Sequence, residues 1–108
     1  MTRLATGFWV SAYLRRLGLE GIGAYVLARG DDTAGVVRVK VARGDGQADL
    51  WERQYDLTAD RLSWVLAQSA PEAEIDARLV RERARDRDAW AIEVEARDGD
   101  PRLQAEGL

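Results

Sequence analysis

Apolar residues recur at Val10, Tyr13, Leu14 and Leu17, the i, i+3, i+4, i+7 spacing of one helical stripe, and Arg15 and Arg16 fall off it. The spacing predicts a helix over Phe8–Leu17. Thr6 is placed to cap its start, and Gly18 is able to take the left-handed conformation that ends it. From Ile22 to Arg29 the period changes to two. Ile22, Ala24, Val26 and Ala28 share one face, Tyr25 and Leu27 the other, so both faces are apolar, as in a strand covered on both sides. Val36–Ala42 reads as a half-buried strand, with Val37, Val39 and Val41 on one face and Arg38 and Lys40 on the other beside Val36. Arg43-Gly44-Asp45-Gly46 has hairpin chemistry.

Ala48–Leu57 predicts a third strand, carrying Trp51, Arg53, Tyr55 and Leu57 on one face. Arg61–Ala67 fits two periods: Leu62, Trp64 and Leu66 alternate, while Leu62, Val65 and Leu66 also make a helical turn. Its shortness and two-sided apolarity favour strand. Ser69 and Glu72 have capping-box spacing, and a helix is expected from about Ala70 to Arg85. Its apolar stripe is Ala73, Ala77, Val80 and Ala84, flanked by Ile75 and Leu79. Ala89–Arg97 is the last full strand. Trp90, Ile92, Val94 and Ala96 point inward; Glu93, Glu95 and Arg97 point outward. A turn at 98–101 precedes a short edge strand at Arg102–Gln104.

The predicted order is α-β-β-β-β-α-β in one domain spanning 1–108. The fold class is α/β (α+β mixed), with a single mixed, mostly antiparallel sheet of about five strands and a helix on each face, a three-layer arrangement. Short turns make the first four strands antiparallel neighbours, and the second helix is the crossover to the fifth. The alternative puts both helices on one face and buries the other in a dimer.

Composition narrows the chemistry. The 108 residues include no histidine and no cysteine, which excludes histidine bases and thiolate metal sites. Sixteen cations against 19 acids give a formal charge of −3, which offers no large positive field to nucleic acid. Arg15 and Arg16 interrupt the first apolar stretch, and no apolar run approaches the ~20 residues of a membrane helix. The expected location is cytoplasmic.

Three segments carry a resemblance. Thr-Gly-Phe-Trp-Val-Ser-Ala-Tyr-Leu-Arg-Arg (6–16), Arg-Gly-Asp-Asp-Thr-Ala-Gly-Val-Val-Arg-Val-Lys (29–40) and Asp-Arg-Asp-Ala-Trp-Ala-Ile-Glu-Val-Glu (86–95) are similar to a family of short bacterial proteins, domain of unknown function 1491. The resemblance covers nearly the whole chain, with Arg87 where the family commonly has proline. It implies one intact α/β domain. The family has no assigned activity, so no catalytic residue is carried over.

Several constellations invite a functional reading. Arg-Gly-Asp occurs at 29–31 and at 43–45, where Gly-Asp is also ordinary turn chemistry. Gly18, Gly21 and Gly23 run from helix into strand, the reverse of a dinucleotide loop. Asp31 and Asp32 offer hard oxygen ligands; with Lys40 and Glu93 or Glu95 they would form a metal-dependent phosphodiesterase or nuclease site, or they simply build a turn. Arg78, Arg81 and Arg85 share a helical face suited to phosphate or an acidic partner, but the interleaved acids favour reading it as a solvated face. Trp51, Arg53 and Tyr55 form an aromatic–arginine–aromatic row, either an interface hot spot or a packed surface with Arg53 snorkelling. The favoured expectation is a small module that binds a protein partner or itself, as a possible homodimer, without a cofactor and without catalysis. The metal-dependent enzyme and a nucleic-acid binder built on the arginine helix are the alternatives.

Overall fold

The structure, a computed structural model, describes residues 5–103. Its elements are α1 (Thr6–Leu19), β1 (Ala24–Ala28), β2 (Val37–Ala42), β3 (Gln47–Asp56), β4 (Arg61–Pro71), α2 (Glu72–Arg85) and β5 (Trp90–Glu95). Element order and type follow the predicted pattern, and Arg61–Ala67 is strand. Residues 101–103 are not strand, and Gln104 lies outside the described residues.

The five strands form one sheet in the order β1-β5-β2-β3-β4. β5 is parallel to β2, and the other three pairings are antiparallel. The expectation that β1 and β2 are neighbours is therefore corrected: β5 lies between them. β1 becomes an edge strand, so the two-sided cover read from its apolar faces is also wrong. Tyr25, Val26 and Leu27 are 52%, 41% and 49% exposed. Both edges are irregular. In β1 the register passes from Val26 to Ala28 while β5 advances one residue, leaving Leu27 as a bulge. In β4 it passes from Gln68 to Leu66, leaving Ala67 as another.

The helices cover opposite faces. Trp9, Val10, Tyr13 and Leu17 of α1 pack on Val37, Val39, Val41, Trp90, Ile92 and Val94. Ile75 and Leu79 of α2 pack on Ala48, Leu50, Ala70 and Ala91. A strand alternates its side chains, so β2 and β5 send one set to each helix.

The caps differ from the sequence reading. Thr6 is the first helical residue and its hydroxyl donates to the Gly35 carbonyl (2.9 Å); the N-cap is Ala5, without a side-chain cap. α1 runs past Gly18 to Leu19. Gly21, at φ 74°, takes the left-handed position, with Gly21 N–H donating to the Gly18 carbonyl and Ile22 N–H to that of Leu17. That pair of bonds is a Schellman motif, in which Ile22 folds back on the helix end. α2 begins at Glu72 after Pro71, and the Ser69 hydroxyl bonds Asp49 (2.7 Å) instead of capping it.

The segment 29–35 holds α1 and β5 together. Gly7 N–H donates to the Asp32 carbonyl (2.8 Å) and Trp90 Nε1 to that of Asp31 (2.8 Å). A Cβ at Gly35 would lie 2.1 Å from the Asp88 carbonyl oxygen, so only glycine lets the two backbones approach this closely.

Candidate functional site

Among the described residues, the α2 face of the sheet carries most of the paired charge. Arg38 and Lys40 alternate with the valines of β2 and therefore point beneath α2. Lys40, on the strand face opposite the valines, is only 2% exposed. Its Nζ meets Glu72 (2.7 Å) and Asp76 (2.6 Å) of α2 and Glu93 (2.9 Å) of β5. Burial alone would lower the pKa of this ammonium, but the hydrogen bonds it donates to Asp76, Glu72 and Glu93 outweigh it and hold the pKa above the usual lysine range. Glu93 is thus an ion-pair partner of a buried lysine, not an outward-facing surface acid. One turn-pair further along α2, Glu82 binds Arg38 (2.7 Å) and Arg78 (2.9 Å), and Glu52 of β3 lies near both arginines (3.7 and 3.8 Å).

These contacts fix where α2 sits, which is over β3 and β4. The strip of sheet formed by β5 and β1 is left open beside it. The result is a groove of about 530 Å³. Ala28 and Ala91 lie along its base, Leu27 comes from the β1 bulge, and Leu79, Val80 and Ala84 come from α2. Asp76, Arg83 and Arg87 also line it, so it carries both signs of charge.

The outward face of α2 continues this apolar strip. Ala73, Ala77, Val80 and Ala84 were expected to face the core. They are exposed, Val80 by 72%, and Ile75 and Leu79 make the core contact instead. Size explains the reversal: a helix buries its largest side chains, and counting alanines as equal to isoleucine and leucine misplaces the stripe. The Ile75/Leu79 pair at i, i+4 was the available signal.

The predicted site residues do not converge. The Asp31 carboxylate accepts the Thr33 and Ala34 N–H groups (3.1 and 2.8 Å), and Asp32 pairs with Arg29 (3.0 Å). Both belong to the 29–35 segment, which binds Trp90 on the α1 side, whereas Lys40 and Glu93 face α2. Glu95 is hydrogen-bonded to the exposed Tyr25 hydroxyl, whose pKa it raises. Among the described residues no group of three or more acidic ligands is arranged to hold a metal ion. The second Arg-Gly-Asp is likewise a turn, with the Asp45 carboxylate accepting Gln47 N–H (2.9 Å).

The aromatic–arginine row divides. Trp51 is half-buried against the α1 core; Arg53 lies 5.7 Å from the Trp64 ring centroid and donates to the Leu62 carbonyl; Tyr55 is 53% exposed near the β3–β4 turn. On α2, Arg78 is held by Glu82 and by Gln68 (3.0 Å), while Arg81 and Arg85 are exposed. No described helix is long and apolar enough to cross a membrane.

Comparison with known proteins places the chain. No match was found among curated proteins. The model of a family described as "Protein of unknown function (DUF1491)" matches residues 4–104. A crystal structure of a DUF1491 family protein from Caulobacter crescentus CB15 is 37% identical, covers 94% of this chain and 95% of its own, and has a TM-score of 0.84. An NMR structure of a DUF1491 family protein from the same organism is 35% identical over 96% of each chain, with a TM-score of 0.82. The solution structure of protein Atu0922 from A. tumefaciens is 33% identical, covers 88% of this chain and 87% of its own, and has a TM-score of 0.70. With the family model spanning nearly all of the sequence and two family structures sharing its fold, the chain belongs to the DUF1491 family.

Proposed function

We propose that this protein works by association with a protein partner, without catalysis of its own, and that the surface used is the apolar strip formed by the outward face of α2 and the groove beside it. The observation that carries this reading is the exposure of Val80 (72%) and Leu27 (49%) on the two sides of a groove floored by alanines. A contiguous apolar strip bordered by charge is the usual form of an interaction site. The groups best suited to chemistry are occupied structurally. Lys40 is shared among three carboxylates, and the Asp31 carboxylate closes a turn. The strip replaces the Trp51–Arg53–Tyr55 row as the leading surface, because Trp51 belongs to the α1 core.

In-cell photocrosslinking tests the reading. A benzophenone amino acid at position 80 should give a higher-mass adduct, and the same probe at exposed Ala12 on the opposite face should not. Equal absence of adduct at both positions would refute it.

A further inference from the structure

The charges along α2 identify the partner that its outward face fits. The exposed apolar positions Ala73, Ala77, Val80 and Ala84 are spaced four, three and four, the a/d seam of a helix pair. Asp76 and Arg83 flank this seam on the groove side. Glu74 and Arg81, both exposed, flank it on the other. Each flank therefore carries an acid near the start of the helix and an arginine seven residues later.

From this arrangement we infer that the partner is a second copy of this chain, docked α2 against α2, antiparallel, about a two-fold axis. The inference deepens the association reading and rests on it. In an antiparallel pair like flanks meet. Ala73 then packs against Ala84 of the second copy, and Ala77 against its Val80. On one side Asp76 meets Arg83 of the second copy, and on the other Glu74 meets its Arg81. The two-fold repeats each contact, so every flanking contact is between opposite charges. A parallel pair would bring only Asp76 near Arg81 of the second copy and leave Glu74 and Arg83 without partners on the facing helix, with the helix dipoles aligned. Alanine at three of the four seam positions lets the backbones approach closely, while Val80 fills the space at the centre. The sheet edges offer no comparable site, because both edge strands are bulged.

A 14-residue helix is only about 21 Å long. So short a contact makes the dimer reversible, and the test spans a wide concentration range for that reason.

Sedimentation velocity on the full chain from 5 to 500 µM tests the inference. A monomer–dimer equilibrium is expected, several-fold weaker in 500 mM salt than in 50 mM. Val80→Arg should abolish it. Glu74→Arg should weaken it at least tenfold, and the double swap Glu74→Arg/Arg81→Glu should restore it; both positions are exposed, and unchanged thermal unfolding checks that the variants fold. A strict monomer at 500 µM, a dimer indifferent to Val80→Arg, or a double swap that fails to restore association would overturn it. If the purified protein is monomeric while position 80 crosslinks to a different protein in cells, the second-copy inference falls and the association reading stands. Failure of both experiments removes both.

Discussion

Replacing Lys40 with methionine isolates the charge cluster that fastens α2 to the sheet. The methionine fills nearly the same volume, so packing under α2 is kept and only the cation is lost. Three carboxylate oxygens, of Glu72, Asp76 and Glu93, then remain within 2.6–2.9 Å of the vacated Nζ position. Two unit charges about 5 Å apart repel by about 3 kcal/mol at an effective dielectric of 20. Removing one member of a buried pair typically costs about 3–5 kcal/mol. Glu72 and Asp76 have side chains 41% and 52% exposed and can swing toward water, which puts the expected loss at the lower end, about 3 kcal/mol. For a domain of this size that lowers the melting temperature by roughly 10–20 °C. The pH response supplies a sharper test. In the natural protein the Lys40 pKa is raised above the ordinary 10.5, so its contribution is complete at neutral pH. It declines only above about 10.5, where the unfolded chain releases the proton first. Scanning fluorimetry of both proteins across this range is sufficient. A melting temperature for Lys40→Met within 2 °C of the natural protein would refute the account of how α2 is held.

Three further outcomes follow from the packing. Gly18→Ala should stabilise by up to about 1 kcal/mol, since Gly18 is helical with open space around it, whereas Gly21→Ala should destabilise by about 1 kcal/mol by forcing a side chain into the left-handed region; urea titrations of the two decide which glycine ends α1. Gly35→Ala should cost more than 2 kcal/mol and shift the Trp90 fluorescence, because its Cβ would meet backbone and not a movable side chain. Tyr13→Phe removes the buried bond from its hydroxyl to the Pro101 carbonyl and should cost about 1 kcal/mol, with faster amide exchange confined to the segment around residues 98–103.

Local features were legible in the sequence, and non-local ones were not. Each strand and both helices could be read from periods of 2 and 3.6, because those periods depend only on neighbouring residues. The segment at 61–67 was decided correctly by length and two-sided apolarity. Sheet order depends on which distant strand supplies the better partner. Consecutive strands are usually neighbours, but here β5 displaces β2 from β1. The burial of Lys40 was hidden for the same reason: its three acids come from residues 72, 76 and 93, and only the fold brings them together. The groove depends on α2 lying over β3 and β4, a placement set by those ion pairs and by Ile75 and Leu79.

The insertion of β5 has a consequence for how the chain comes together during synthesis. β5 is the last of the seven elements, and it joins β1 on one side to β2 on the other. Until it joins, β1 has no strand to pair with and one edge of β2 is unpaired, although α1 can already cover Val37, Val39 and Val41. The β2–β3–β4 meander can therefore form first, and it keeps one open edge until β5 joins it. Folding is gated on a single late segment. A chain cut before residue 90 would hold a half-sheet with an adhesive edge.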